Sequence, residues 1–293
     1  MGILGLSNTI LHASSNYLSQ AALGLDPPLS VLLDGTNDYI QWGDMGNVKT
    51  ASIWMKPTNL HNSLSDRTRF MGIRSGVYYG MAISKQTSLF DNEIMTVSPG
   101  ANSRTGSLSF LPAGVWKHFV FVWNDNGSGD GYYNIYLNGV NATNLNENNG
   151  SLDSYLSWNQ VRIGRDGSTD GGNNWPGAVD EFATWDESLP IAEVLAIYNN
   201  GNPINVLNDQ GNYVSSANLT HYYQMNEGSG TTVADSKETS ADTLVWNNDN
   251  SKTFVKYTGD APSFLSSKSV LTITEIQEEL QKSEWTTDDG NNN

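Results

Sequence analysis

Turn-forming residues interrupt the chain about every 8–12 residues from Leu29 to Tyr198, a spacing that leaves room for short strands and little else. The stretches between the turns carry a period of two. Thr50 to Lys56 sets Ile53 and Met55 on one face and Ser52, Trp54 and Lys56 on the other. Tyr132 to Leu137 likewise puts Tyr133, Ile135 and Leu137 on one side. His118 to Trp123 is almost continuously apolar, as suits a central strand covered on both faces. Asn138-Gly139, two residues that accept positive φ, marks a hairpin tip. Further strands are predicted at Val31–Leu33, Tyr39–Trp42, Val77–Ser84, Glu93–Val97, Val161–Gly164 and Ala178–Trp185. The expected fold is all-β, a two-sheet antiparallel sandwich.

Residues 1–28 form a separate N-terminal arm or anchor. Ile3, Leu6, Ile10, Tyr17, Leu18, Ala21 and Leu25 lie near helical spacing, and Pro27-Pro28 close the segment. The arm is either a weakly amphipathic helix or extended, and it either lies on its own domain or docks on a partner. The sandwich occupies residues 29–200. Near its end Leu189–Tyr198 predicts a short helix, with Ser188 as cap, Pro190 in the first turn and Asn200-Gly201 as the stop. Residues 201–265 return to strand and turn patterns, expected to pack on or complete the sandwich. Residues 266–293 hold a C-terminal helix, Thr274–Trp285, with a capping box at Thr274 and Gln277, followed by a polar tail.

Charge removes whole classes of function. Fifteen Lys and Arg against 31 Asp and Glu leave a net charge of −16, which repels duplex phosphates and anionic membrane surfaces. The chain has no cysteine, so disulfides, thiolate metal sites and cysteine nucleophiles drop out together. No Lys or Arg precedes Lys49, and no compact apolar run follows the first residues; without a secretory signal the product is expected to stay in the cytoplasm where it is made. Membrane insertion is not expected. His12, His61, His118 and His221 share no metal-ligand spacing and read as ordinary hydrogen-bonded histidines. There is no G-x-S-x-G elbow, no P-loop and no dinucleotide fingerprint.

Five segments taken in order carry a family resemblance. Leu33-Asp34-Gly35-Thr36-Asn37-Asp38-Tyr39-Ile40 resembles the opening strand of laminin-G-like, concanavalin A-like jelly rolls. Ala51–Pro57 resembles their S-x-W-x-K-P strand, Val115–Val120 their W-x-H strand, and Ile135–Gly139 their Y-h-N-G hairpin. Gly177–Trp185, with Leu189-Pro190 and the short helix, resembles the closing G-x-h-D-E-h strand. Downstream, Tyr222–Asp235 is similar to a Y-W-x-h-x-E-G-S-G-T-T-h-x-D segment found at the edge of such domains, especially in structural proteins of marine bacteriophages.

The resemblance implies a jelly roll that works by binding or assembly and needs no cofactor. Its first functional implication is a non-catalytic virion structural protein, a capsid decoration or a fibre component. Such a protein would join other virion proteins through the N-terminal arm, the C-terminal segment or both, and would form a homo-oligomer, a trimer being one option. The alternative is a glycan-binding adhesin or lectin module that recognises a cell-surface glycan. A divergent glycan hydrolase is a third. Related jelly rolls that cut glucans carry carboxylates at alternate strand positions, whereas Asp180-Glu181 and Asp186-Glu187 are adjacent pairs whose members face opposite sides of a regular strand. The family often holds a structural Ca²⁺ near the opening and closing strands, and Asp34 and Asp180 occupy the matching positions. The other reading has Asp34 making an Asx turn and Asp180 bonding backbone amides. Asp125–Asp130 resembles half an EF-hand loop without its last acid and is expected to be a hairpin tip. For sugar stacking the candidate is Trp175, in the Asn/Gly-rich loop 169–176, unless it packs beneath that loop.

Overall fold

The structure is a computed structural model that describes residues 29–36, 38–58, 68–75, 77–86, 90–97, 103–107, 113–125, 131–144, 158, 160–164, 174–228, 232–238, 244–247 and 257–258. The expected N-terminal arm, the 126–130 tip and the helix Thr274–Trp285 lie outside these residues. Among the described residues no helix is long and apolar enough to cross a membrane.

Sixteen strands fall among the described residues. They are β1 (Ser30–Asp34), β2 (Asp38–Trp42), β3 (Thr50–Pro57), β4 (Thr68–Ser75), β5 (Val77–Gln86), β6 (Phe90–Val97), β7 (Ser103–Ser107), β8 (Lys117–Asp125), β9 (Gly131–Leu137), β10 (Val140–Asn141), β11 (Thr143–Asn144), β12 (Gln160–Ile163), β13 (Pro176–Trp185), β14 (Leu219–Tyr223), β15 (Leu244–Asn247) and β16 (Tyr257–Thr258). One sheet runs β10-β9-β8-β3-β13-β1-β16, with β14 also on β13. The other runs β11-β7-β6-β5-β4-β12-β2-β15. Every pairing is antiparallel.

The sandwich is filled from both sides. Val31, Ile53, Met55, Phe119, Phe121 and Val179 of the first sheet meet Ile40, Trp42, Met71, Val161 and Ile163 of the second in one buried cluster. The predicted faces hold: Ile53, Met55, Tyr133, Ile135 and Leu137 all point into this inner core. The strands β4 and β7 escape the pattern. TRFMGIRS and SRTGS lack alternation, and neighbouring ladders recruit them through backbone pairing.

β13 organises the first sheet. It pairs with β3 along its length, with β1 through Val31↔Val179, and with β14 through Phe182↔Tyr223. Asp180 opposes Trp54 and Ala183 opposes Ser52, so β13 spends three steps where β3 spends two. The extra residue is a β-bulge, and Glu181 within it sits at φ +51°. The bulge reverses the strand's alternation. Val179 before it faces inward, whereas Ala183 and Trp185 after it face the outer side.

That outer side carries a second apolar cluster. Val120, Val122, Ala183 and Trp185 of the sheet are covered by Leu189, Val194, Ile197, Val206 and Tyr213. The cover includes helix α1 (Ile191–Tyr198), which starts at Pro190 with no side-chain cap. Ser188 therefore does not cap it. The lead-in is instead held by β3: the Thr50 hydroxyl donates to the Glu187 carbonyl (2.6 Å) and accepts the Leu189 N–H (3.0 Å). The predicted stop is present, with Asn199, Asn200 and Gly201 all at positive φ.

The Asn138-Gly139 hairpin tip tucks under α1. Gly139 sits at φ +76°, and a Cβ there would stand 2.7 Å from the Leu195 side chain. Gly139→Ala is expected to lower stability by about 1–2 kcal/mol, through backbone strain and crowding of α1, read as a shift in the denaturation midpoint.

Candidate functional site

β13 ends at Trp185 beside β14, and Asp186 leads away from it. Together with the loop before β3 and the return after β14 they frame an open polar cleft of about 960 Å³. Asp44, Asn47, Lys49, Asp186, Thr220 and His221 line it, joined by Lys237 and Glu238. The first loop is pinned by its backbone. Met45 N–H donates to the Trp158 carbonyl (2.8 Å), Trp158 N–H donates back to Gly46 (2.7 Å), and Lys49 N–H donates to Trp185 (2.9 Å). Asp44 closes an Asx turn by accepting the Gly46 N–H (2.8 Å), and the Tyr133 hydroxyl donates to the Val48 carbonyl (2.6 Å). The cleft wall is thus set before any ligand arrives.

Its other side is held by Asp235. One carboxylate oxygen accepts the Tyr222 N–H (3.0 Å) and the Lys237 N–H (2.9 Å), and the other lies 2.7 Å from His221 Nδ1. Burial pushes this carboxyl up, but the His221 contact and the two amides outweigh it and hold it below the usual carboxylate range. The buried acid therefore fixes the ring of a histidine that lines the cleft. His221, Asp235 and Glu238 offer ligand atoms within 4.8 Å of one another, the group among the described residues that could hold a cation.

A second polar cluster lies beneath the outer layer. Between the first sheet and its cover lies a cavity of about 10 Å³, room for roughly one water. Ser52, His118, Glu181 and Tyr222 line it. Ser52 Oγ is 2.7 Å from His118 Nε2, and the imidazole stacks against Trp54 (4.8 Å between ring centres) and Tyr198 (5.9 Å). Burial lowers His118 to about 3. Glu181 accepts a hydrogen bond from the Tyr222 hydroxyl; burial still raises its carboxyl to about 7. Burial, then the charge of Glu181, also pushes Asp180 up.

The residues singled out in the sequence fall elsewhere. Asp34 makes the Asx turn, accepting the Thr36 N–H at 2.7 Å. It opposes Pro176 in the β1–β13 ladder, so Asp180 lies four residues further along, about 13 Å away at the ordinary strand rise. The structure does not bring the two together. Trp175 is fully buried in the inner core, its backbone N–H bonded to the Gly164 carbonyl (2.8 Å), so its ring is closed to a sugar face. The cleft residues escaped the sequence reading because they are ordinary polar types from three distant segments. His221 was visible only as one of four scattered histidines.

The chain was compared with known proteins. No curated protein matches it. Among solved structures it is similar to a candidate carbohydrate-binding protein from Bacteroides ovatus ATCC 8483, at TM-score 0.52 and 14% identity. That match covers 82% of this chain and 62% of the other, so this chain spans less than two-thirds of that protein. It is also similar to domain 4 of AbnA, a GH43 extracellular arabinanase from Geobacillus stearothermophilus solved with arabinotriose, at 19% identity, TM-score 0.42 and coverage of 58% and 76%. A third is the CBM40 of the Ruminococcus gnavus IT-sialidase bound to α2,3-sialyllactose, at 10% identity, TM-score 0.39 and coverage of 59% and 99%. The likeness to the Bacteroides ovatus protein describes the fold alone. The Laminin_G_3 family model matches residues 34–195, more than half of the 293 residues, and with it the chain belongs to the concanavalin A-like lectin/glucanases superfamily.

Proposed function

We propose that this chain is a non-catalytic binding module that takes a neutral glycan in the cleft framed by Asp44, Lys49, Asp186 and His221. One observation carries the reading: the open polar site and the pH-tuned carboxylate are different places. The cleft offers carboxylates, amide, lysines and an oriented histidine on a pinned backbone, the groups that pair with sugar hydroxyls. Glu181, whose raised carboxyl resembles a general acid, lies away from that cleft, beside a space for about one water between the first sheet and its cover. Glycoside hydrolysis needs two carboxyls flanking the substrate, and a space of about 10 Å³ beside Glu181 does not hold a sugar ring. Three carboxylates, Asp44, Asp186 and Glu238, face two lysines in the cleft, and the chain carries −16 overall; both disfavour an anionic glycan. The carbohydrate-binding description of the Bacteroides ovatus protein agrees with this reading.

A glycan array carrying neutral and acidic sugars tests it. The wild type is expected to retain a neutral glycan, and Asp186→Ala or His221→Ala to weaken that binding about tenfold or more, the cost of one good hydrogen-bonding group. No retained glycan, or equal binding by both variants, would end the proposal; release of reducing ends from a bound glycan would end its non-catalytic half.

A second reading makes the same module part of a virus particle, anchored through residues 1–28, the C-terminal segment or both. It is favoured by the resemblance of Tyr222–Asp235 alone, and it is compatible with glycan adhesion. Mass spectrometry of purified particles decides it, since absence of the protein there removes this reading and leaves the first intact.

A further inference from the structure

Two of the chain's Asn-Gly pairs lie among the described residues, Asn138-Gly139 and Asn200-Gly201, and the fold treats them differently. At the β9–β10 turn Asn138 is held twice. Its side-chain oxygen accepts the His118 N–H (2.9 Å), and its own N–H donates to the His118 carbonyl (2.8 Å). Gly139 is buried beneath α1, where a Cβ would meet the Leu195 side chain at 2.7 Å. At the end of α1, by contrast, Asn200 is exposed and its side-chain amide has no hydrogen-bond partner among the described residues. Around Gly201 nothing beyond its own turn lies within 4 Å of the place a Cβ would take. We propose that Asn200 is a site of spontaneous deamidation, where water converts the amide to aspartate or isoaspartate and so loosens α1, while Asn138 is protected in the same dipeptide. The inference is independent of the glycan cleft.

The chemistry needs only the chain and water. The Gly201 backbone nitrogen attacks Cγ of Asn200. The N–Cγ bond forms, the Cγ–Nδ2 bond breaks, and the proton lost by the Gly201 nitrogen leaves with the ammonia. The product is a five-membered succinimide. Water then opens it, giving aspartate when the N–Cγ bond breaks and isoaspartate when the bond to the backbone carbonyl carbon breaks. Glycine suits the attack because no Cβ crowds the nitrogen.

Ring closure also asks the backbone at the asparagine to rotate. The turn that must open at Asn200 is held by two bonds onto one acceptor: the Asn199 carbonyl takes the Asn202 N–H at 3.2 Å and the Asn202 side-chain amide at 3.1 Å. At Asn138 the same rotation would give up both His118 bonds and lift the tip from under α1. The new carboxylate at residue 200 stands at the C-terminal end of α1, where the helix dipole disfavours negative charge. No basic residue in the last turn of α1 offsets it.

Incubation of the full chain in mildly alkaline heavy-oxygen water, followed by peptide mapping in a mass spectrometer, tests the site. In the native chain Asn200 is expected to convert, taking up the heavy oxygen, and Asn138 to convert about tenfold or more slowly, the protection that its two hydrogen bonds supply. In urea the two should convert at comparable rates. Asn138 keeping pace with Asn200 in the native chain would overturn the proposal, as would an Asn200 still intact when the unfolded chain has converted, or a separation in urea as wide as in the native chain. The aspartate product is reproduced by Asn200→Asp, in which hydrogen exchange of the 191–198 amides should quicken about two- to fivefold. Unchanged exchange there would overturn the loosening of α1.

Discussion

Trp185→Ala is expected to cost about 3–5 kcal/mol, the largest single loss in the molecule. The indole is fully buried where β13 meets the outer layer. Its Nε1–H donates to the Tyr213 hydroxyl (3.0 Å), which donates in turn to the Val206 carbonyl (2.9 Å). Burial pushes that hydroxyl up to about 12, so it remains a donor at any physiological pH. Truncation removes a large apolar volume and leaves the Tyr213 oxygen without its indole partner. Denaturant unfolding followed by near-ultraviolet dichroism should show a lower midpoint and a broadened transition, as the layer departs before the sandwich. A loss under about 1 kcal/mol would mean that the outer cluster contributes far less than its burial implies.

Asp235→Ala should be the second large effect, about 2–4 kcal/mol, because two backbone N–H groups lose their acceptor and His221 loses its anchor. Asp235→Asn should recover part of this, since the amide oxygen still accepts. The acid response separates the two effects. A carboxyl held below its unfolded value stabilises the fold above that value, near 3.9, and the gain is lost as pH falls through the lower folded value. The wild type should therefore lose melting temperature below about pH 4, and this component should vanish in Asp235→Ala. Glycan affinity should fall in the same variant while Ser52 and His118 stay in place. A variant melting like the wild type with glycan binding intact would show that the return after β14 holds itself.

The legible part of this protein was whatever obeys a period of two. Alternation alone groups Ile53 with Met55, and Tyr133 with Ile135 and Leu137, each set on one face of its strand, and that face is the inner one. Alternation failed where a bulge enters. Counting by twos from Val179 would send Glu181 inward, yet a left-handed backbone at that residue turns it to the outer cavity. Nothing in the residue type announces this, because a glutamate seldom adopts positive φ and does so here only because three strands fix β13 on both sides. Trp175, left open between a sugar platform and packing beneath its loop, takes the second place. Its Asn/Gly-rich neighbours mark a loop, but they say nothing about which way an indole points. The cleft was hidden by distance along the chain: Asp44, Asp186 and His221 converge only after the sheets form.

β15 and β16 give the family boundary a practical meaning. The matched region stops at residue 195, yet Trp246 pairs with Tyr39 and Tyr257 pairs with Val31, one on each sheet. A fragment trimmed to the matched region would lose β1 and so bare one flank of β13, and would bare one flank of β2, raw ladders that recruit strands from other molecules. Aggregation of such a fragment would therefore say nothing against the fold. The smallest piece fit for expression runs to at least Thr258.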